Sequence, residues 1–375
     1  MMLADLSNLE RVVLSGGGTS GHISPALAVA EYLRAANPQI RISFIGTESG
    51  LESRIVPSAG FNYLTTPAAP LVWGSPLKLL RAYREFRHGR QVCREHLKAE
   101  RPQVVIGMGG YVCSPVVAAA GSLGIPLVLH EQNAFPGRSN RLFARSAATV
   151  CISYPEAERF FPRGVRIILT GNPVRPNFFA AEREESRSAL GLDAAERLIL
   201  VSGGSLGARR LNTTVIKWLA ERRGADNGSL RVIIAAGARL YEECVDLKNT
   251  HNVGAELEVK PYIDDMPRYM AASDLIISRA GAMTCAEICA VGRPSLLVPY
   301  PQAASDHQTF NARQLVDEGA ALMIADADFT PEKLETVLAE LLTDDSRLEE
   351  MGRRSHSLAE PDAVEKIATE VVRLV

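Results

Sequence analysis

The run Val12-Val13-Leu14-Ser15-Gly16-Gly17 returns later in the chain as Ile199-Leu200-Val201-Ser202-Gly203-Gly204, each time ahead of a segment with helical periodicity. An aliphatic run that breaks into paired glycines and then a helix is how a parallel α/β layer begins. A chain that begins this way twice is expected to hold two such layers. Apolar runs at residues 11–14, 42–45, 104–106, 127–129, 149–152 and 167–169 read as the strands of the first, alternating with amphipathic segments. Residues 198–201, 231–234, 256–260, 275–277, 295–298 and 321–324 read as those of the second. The expected fold class is α/β, with two Rossmann-like domains at residues 1–175 and 176–360. Residues 361–375 form a last helix expected to pack back onto the first domain. Asn172-Pro173-Val174-Arg175-Pro176 and the polar stretch 181–188 read as hinge and linker. A length of 375 residues agrees, since single cores usually stop growing below that size.

Several function classes drop out. A net charge of −2 supplies no bulk attraction to nucleic acid. Met1-Met2-Leu3-Ala4-Asp5 lacks the basic region of a signal peptide, so a cytoplasmic location is expected. Residues 104–129 carry no charge and are long enough to cross a bilayer. Glycines and prolines cut them into strand, loop, helix and strand, which reads as a buried sheet segment. Cys93, Cys113, Cys151, Cys244, Cys285 and Cys289 form no C-x-x-C pair and read as buried thiols. No cofactor or metal is expected. Asp326-Ala327-Asp328 matches a metal-binding D-x-D pattern, but it precedes Thr330-Pro331, a helix cap with proline at its first position, and reads as helix-starting acids.

The candidate chemistry lies in the glycine loops. Gly16-Gly17-Gly18-Thr19-Ser20-Gly21-His22 follows a strand and leads into a helix expected to open at Pro25, so its N–H groups can face an anion. Gly16, Gly18 and Gly21 with Glu48 also satisfy a dinucleotide fingerprint. The second glycine loop, Ser202 through Gly207, favours a transferase handling two diphosphate-bearing substrates over a dehydrogenase. His22, at a helix start, is expected to stay neutral and accept a proton. Gly107-Met108-Gly109-Gly110-Tyr111 and His130-Glu131-Gln132-Asn133 should gather at the same sheet edge, with Glu131 either a second base, an orienter of His22, or an ion-pair partner of Arg138 or Arg141. Glu287 sits near the start of a helix after residues 278–281, and Gln308 lies in a polar loop suited to sugar hydroxyls. Residues 70–98 mix Leu71, Val72, Trp73, Leu77, Leu79 and Leu80 with Lys78, Arg81, Arg84, Arg87 and Arg90. That mixture suits either an anionic lipid surface or a solvated amphipathic helix.

Taken in order and spacing, these motifs, with Gly171-Asn172-Pro173-Val174-Arg175, Ile263-Asp264-Asp265-Met266 and residues 279–287, resemble the MurG family of bacterial UDP-N-acetylglucosamine transferases over nearly the whole chain. The resemblance implies a GT-B fold whose two parallel sheets face across a cleft. It also implies transfer of GlcNAc with inversion to the C4 hydroxyl of MurNAc on an undecaprenyl-pyrophosphoryl pentapeptide acceptor, in peptidoglycan synthesis. By position it assigns Ser205, Ile263, Ala282, Met283, Thr284, Cys285, Ala286, Glu287 and Gln308 to UDP-GlcNAc. Thr19, Ser20, Gly21, Asn133 and Arg175 would complete that site, while Gly17, Gly18, Gly109, Gly110 and Tyr111 hold the acceptor diphosphate. Peripheral attachment to the cytoplasmic face of the plasma membrane, and partners among cell-wall synthesis proteins, are implied likewise. The chain departs from the family pattern at Ser20 (commonly glycine), Leu206 (glutamine) and Met283 (leucine). Related alternatives are another GT-B glycolipid transferase, a UDP-GlcNAc 2-epimerase and a catalytically idle UDP-sugar binder.

Overall fold

The computed structural model describes residues 6–69, 76–204, 207–222 and 230–375. Ser205, Leu206, Leu71, Val72 and Trp73, singled out above, lie outside the described residues. The chain divides into two compact units, Met1–Val174 with Glu360–Val375, and Arg175–Ala359.

The first unit holds a seven-stranded parallel sheet made of β1 (Arg11–Ser15), β2 (Arg41–Gly46), β3 (Asn62–Thr65), β4 (Val104–Gly107), β5 (Leu127–Glu131), β6 (Thr149–Ile152) and β7 (Ile167–Leu169). Its order is β3-β2-β1-β4-β5-β6-β7. The second unit holds β8 (Arg197–Ser202), β9 (Leu230–Ala235), β10 (Leu257–Lys260), β11 (Leu275–Ser278), β12 (Ser295–Leu297) and β13 (Ala321–Met323). These are parallel too, ordered β10-β9-β8-β11-β12-β13. Each sheet thus starts at its centre, winds one way, then jumps back across its first strand to wind the other. Such a reversal opens a crevice at the carboxyl ends of the two central strands, β1 with β4 and β8 with β11.

Helices cover both faces, so the central strands are buried and read as continuous aliphatic runs. In the first unit Leu14, Ile23, Ala26 and Ile106 share one core with Val364, Ile367, Ala368 and Val371 of the helix Ala363–Val372. Glu370 of that helix pairs with Arg166 at 2.8 Å and accepts from Thr149 at 3.0 Å.

Three readings are corrected. Asn62–Thr65 is an edge strand that the sequence analysis passed over, because its residues are only half-buried and carry no aliphatic run. The helix after the first glycine loop opens at Ser20, not Pro25, and runs to Ala36. Thr19 in extended conformation precedes it, and Pro25 is accommodated inside at the loss of one N–H. The stretch 181–188 is no linker: it forms the helix Arg183–Ala189, whose Arg187 is buried against Asp274.

Candidate active site

In the first unit the β1–β4 register sets Ser15 beside Gly107, and Met108 N–H donates to Ser15 O at 2.7 Å. The glycine loops after the two strands therefore run side by side. His22, in the first turn of Ser20–Ala36, reaches across them: its Nδ1 lies 2.9 Å from Met108 O and 3.0 Å from Gln132 Oε1. Both oxygens accept, so Nδ1 carries the proton, and whenever the ring is neutral its lone pair is on Nε2. The ring packs on Gly110. A Cβ there would stand 2.6 Å from Gly17 O and 3.1 Å from His22 Cδ2, and φ is +81°, so only glycine lets the loops and imidazole meet. Gly109 borders the same ring, and Tyr111 lies against Gly18.

Glu131 is committed elsewhere. Its Oε1 accepts from Asn133 N–H at 3.0 Å and Asn133 Nδ2 at 3.1 Å, and its Oε2 from Gly137 N–H and Asn140 Nδ2, both at 2.9 Å. Buried and supplied by four donors, the carboxylate shapes its own loop. This corrects the second-base reading and the pairing with Arg138 or Arg141, because its lone pairs already face donors. The side chain that meets His22 Nδ1 is instead that of Gln132, which the sequence analysis did not single out. Side chains two apart at a strand end share a face, which groups His130 with Gln132 and Glu131 with Asn133; that period-2 signal was present.

Glu52 was missed as well. It is buried, its Oε2 accepts Gly18 N–H at 3.1 Å, and its Oε1 accepts Thr47 N–H at 3.2 Å and Thr47 Oγ1 at 2.6 Å. One N–H assigned to the acceptor diphosphate is therefore already bound to an internal anion, and the Gly18 assignment is corrected accordingly. Burial, reinforced by Glu52, raises the Tyr111 hydroxyl pKa. Glu48, which completed the dinucleotide fingerprint, is exposed.

In the second unit β8 ends at Ser202 and is followed by Gly203-Gly204, and Gly207 lies just before the helix Arg209–Glu221. Gly207 has φ +75°, and a Cβ would lie 2.1 Å from Ala236 O. Beside it β11 runs through Arg279, Ala280 and Gly281 into the helix Ala282–Val291. The first-turn N–H groups of Ala282, Met283 and Thr284 have no partners within a helix, and no acid stands in that turn, so the terminus favours an anion. Burial pushes the Glu287 carboxyl up to about 7, with Arg175 drawing it back. Gln308 and Asn311 stand on the helix His307–Asp317, which corrects the polar-loop reading: Gln308 Oε1 accepts from Tyr300 N–H at 2.9 Å, and Asn311 Nδ2 donates to Ala280 O at 3.1 Å, tying that helix to the segments after β12 and β11. Ser305 and Asp306 hold φ of +57° and +56°, a strained backbone for non-glycine residues. Ile263 is buried just after β10. Cys285 and Cys289 are buried, and burial raises both thiols.

Asp326 meets Arg279 at 2.6 Å and Arg210 at 3.8 Å, and Thr330 Oγ1 caps the next helix by accepting from Lys333 N–H. Asp326 thus anchors the arginine that follows β11.

Comparison with known proteins identifies the family. The Glycosyltransferase family 28 N-terminal domain matches residues 12–152, and the Glycosyltransferase family 28 C-terminal domain matches residues 198–367. Over 356 residues, 95% of each chain, the sequence is 40% identical to the UDP-N-acetylglucosamine–N-acetylmuramyl-(pentapeptide) pyrophosphoryl-undecaprenol N-acetylglucosamine transferase of Caldicellulosiruptor saccharolyticus. The enzyme of the same name from Moorella thermoacetica is 39% identical, covering 97% of this chain and 99% of its own. Among solved structures, Acinetobacter baumannii MurG superposes with a TM-score of 0.75 at 30% identity, covering 98% of this chain and all of that one. A Neisseria meningitidis UDP-GlcNAc 2-epimerase shares the fold alone, with a TM-score of 0.66 at 12% identity, 97% of this chain and 99% of that one being covered. With both domain profiles matched and relatives this similar along nearly the full length, the chain belongs to glycosyltransferase family 28.

Proposed function

We propose that this chain transfers N-acetylglucosamine from UDP-GlcNAc to the MurNAc of an undecaprenyl-pyrophosphoryl MurNAc-pentapeptide, the step that completes the lipid precursor of peptidoglycan. The observation that carries the chemistry is His22, held with its proton on Nδ1 and its lone pair on Nε2 at the β1–β4 crevice. In the reaction the acceptor's C4 oxygen bonds to the anomeric carbon as the bond from that carbon to UDP breaks. The hydroxyl proton passes to His22 Nε2, UDP departs with the bonding pair, and the anomeric centre inverts. Donors preorganised at the leaving group stabilise such a step. In the second unit this role is assigned to the N-terminus of Ala282–Val291, with Ala282, Met283 and Thr284 at the leaving diphosphate. Glu287 as carboxylate is assigned to the ribose hydroxyls, Ile263 to the uracil, and Gln308, whose Oε1 is already engaged, to the sugar through its amide NH₂.

UDP release from UDP-GlcNAc, measured with and without the lipid-pyrophosphoryl-MurNAc acceptor, tests this reading. Acceptor-dependent release with a new β-1,4 disaccharide is expected. UDP-GlcNAc binding without release would leave the idle-binder reading, and acceptor-independent epimerisation would leave the epimerase.

The acceptor's lipid supports a working position at a membrane surface. No described helix is long and apolar enough to cross one. The helix Pro76–Glu100 exposes Leu80 and Tyr83 together with Arg81, Arg84, Arg87 and Arg90, apolar anchors among cations. Each cation near an anionic surface contributes about 1 kcal/mol. Reversing Arg81, Arg84 and Arg87 to glutamate should therefore abolish binding to anionic vesicles in sedimentation, and undiminished binding would sink this docking face.

A further inference from the structure

Behind His22 lies a hydrogen-bond chain whose direction two backbone carbonyls dictate. Gly171 O stands 3.0 Å from His130 Nε2. A carbonyl only accepts, so that nitrogen carries the proton. His130 is fully buried, and burial, with a smaller contribution from His22, drives its pKa down to about 4. The ring is neutral and its Nδ1 holds a lone pair. Gln132 Nε2 lies 3.0 Å from this Nδ1 and 3.0 Å from Met108 O, two acceptors, which forces the amide NH₂ to that side. The amide oxygen must then face His22 Nδ1, at 3.0 Å. Asn172 Nδ2 fixes the relay's backbone by donating to Gln132 O at 3.0 Å, and Asn140 Nδ2 does so by donating to His130 O at 2.9 Å.

From this geometry we infer that Gln132 is the positioning residue of the base: its amide, locked by His130, holds the His22 imidazole with Nδ1 protonated and offers a neutral oxygen to the imidazolium formed on proton transfer. The inference rests on His22 being the base. The partner's neutrality matters, since a carboxylate in its place would favour the imidazolium before reaction and deplete the free base. The nearest carboxylate in sequence, Glu131, is turned to the donors of its own loop.

The relay demands opposite tautomers in the wild-type protein, His22 protonated at Nδ1 and His130 at Nε2, and two-bond proton–nitrogen spectra of the labelled imidazoles read this directly. Finding the same tautomer in both rings, or a charged His130 at neutral pH, overturns the relay. A double-mutant cycle tests its use in catalysis. Gln132→Leu should lower kcat about 10- to 100-fold with KM for UDP-GlcNAc within about twofold, and should cost nothing more in a His22→Ala background. An equal loss in both backgrounds makes Gln132 merely structural and refutes the proposal. Unchanged kcat in His22→Ala alone would bring down the base assignment instead, whereas a large His22 effect beside a silent Gln132→Leu removes the positioning role only.

Discussion

Replacing His22 with alanine lowers kcat for GlcNAc transfer by about 10²- to 10⁴-fold, the usual contribution of a positioned general base, and leaves KM for UDP-GlcNAc within about twofold. The split follows from placement. His22 belongs to the first unit, whereas the groups assigned here to the nucleotide's uracil, ribose and diphosphate belong to the second. Stability should change little, because Gln132 Nε2 continues to donate to Met108 O once the imidazole is gone. Steady-state kinetics beside a thermal melt separate the outcomes. Wild-type kcat in a folded variant would mean that another group takes the proton, and the mechanism above would fall.

Asp274→Ala should destabilise the second unit by about 3–5 kcal/mol, the cost of leaving a buried guanidinium without its carboxylate. Asp274 Oδ1 accepts from Arg183 at 2.7 Å and Arg197 at 3.5 Å, and Oδ2 from Arg187 at 3.2 Å and Leu198 N–H at 2.7 Å. Arg187 is 8% exposed and cannot turn to water. Burial, then the neighbouring Arg183, already depresses the Arg293 pKa to about 10, so the cluster has cation to spare. Urea unfolding followed by the fluorescence of Trp218, buried in the same unit, should show the lowered midpoint. A loss under about 1 kcal/mol would mean that the other acceptors of Arg187, the carbonyls of Ala272, Asp193 and Glu196, suffice alone.

The two sheets were legible because a parallel strand buried on both faces must be an aliphatic run, and a glycine pair must follow where the chain turns tightly. Asn62–Thr65 escaped because an edge strand is not obliged to be apolar. Residues 183–189 misled because their charges resemble a linker's, while what makes them a helix is Asp274, distant in sequence and adjacent in space. At the site, His22 and the glycine loops could be read from local pattern. Alternation along the strand end also grouped His130 with Gln132 and Glu131 with Asn133, but the partners that fix their roles were out of reach, since the backbone groups each side chain finds come from Met108, Gly137 and Gly171 on other segments. Glu52 gave no signal at all. As an acid opening the helix Glu52–Ser58 it looks like ordinary dipole compensation, and only the fold brings it under Gly18.

The helix Ala363–Val372 gives the order of synthesis a consequence of its own. Its Val364, Ile367, Ala368 and Val371 complete a core whose other members, such as Leu14, Ile23 and Ile106, are made far earlier. On the ribosome the intervening unit, continuous from residue 175 to 359, can close as soon as it emerges. The half that is translated first must wait with an apolar face uncovered until residues 360–375 are free. His22, the proposed base, thus belongs to the unit whose core closes only after residues 360–375 are made.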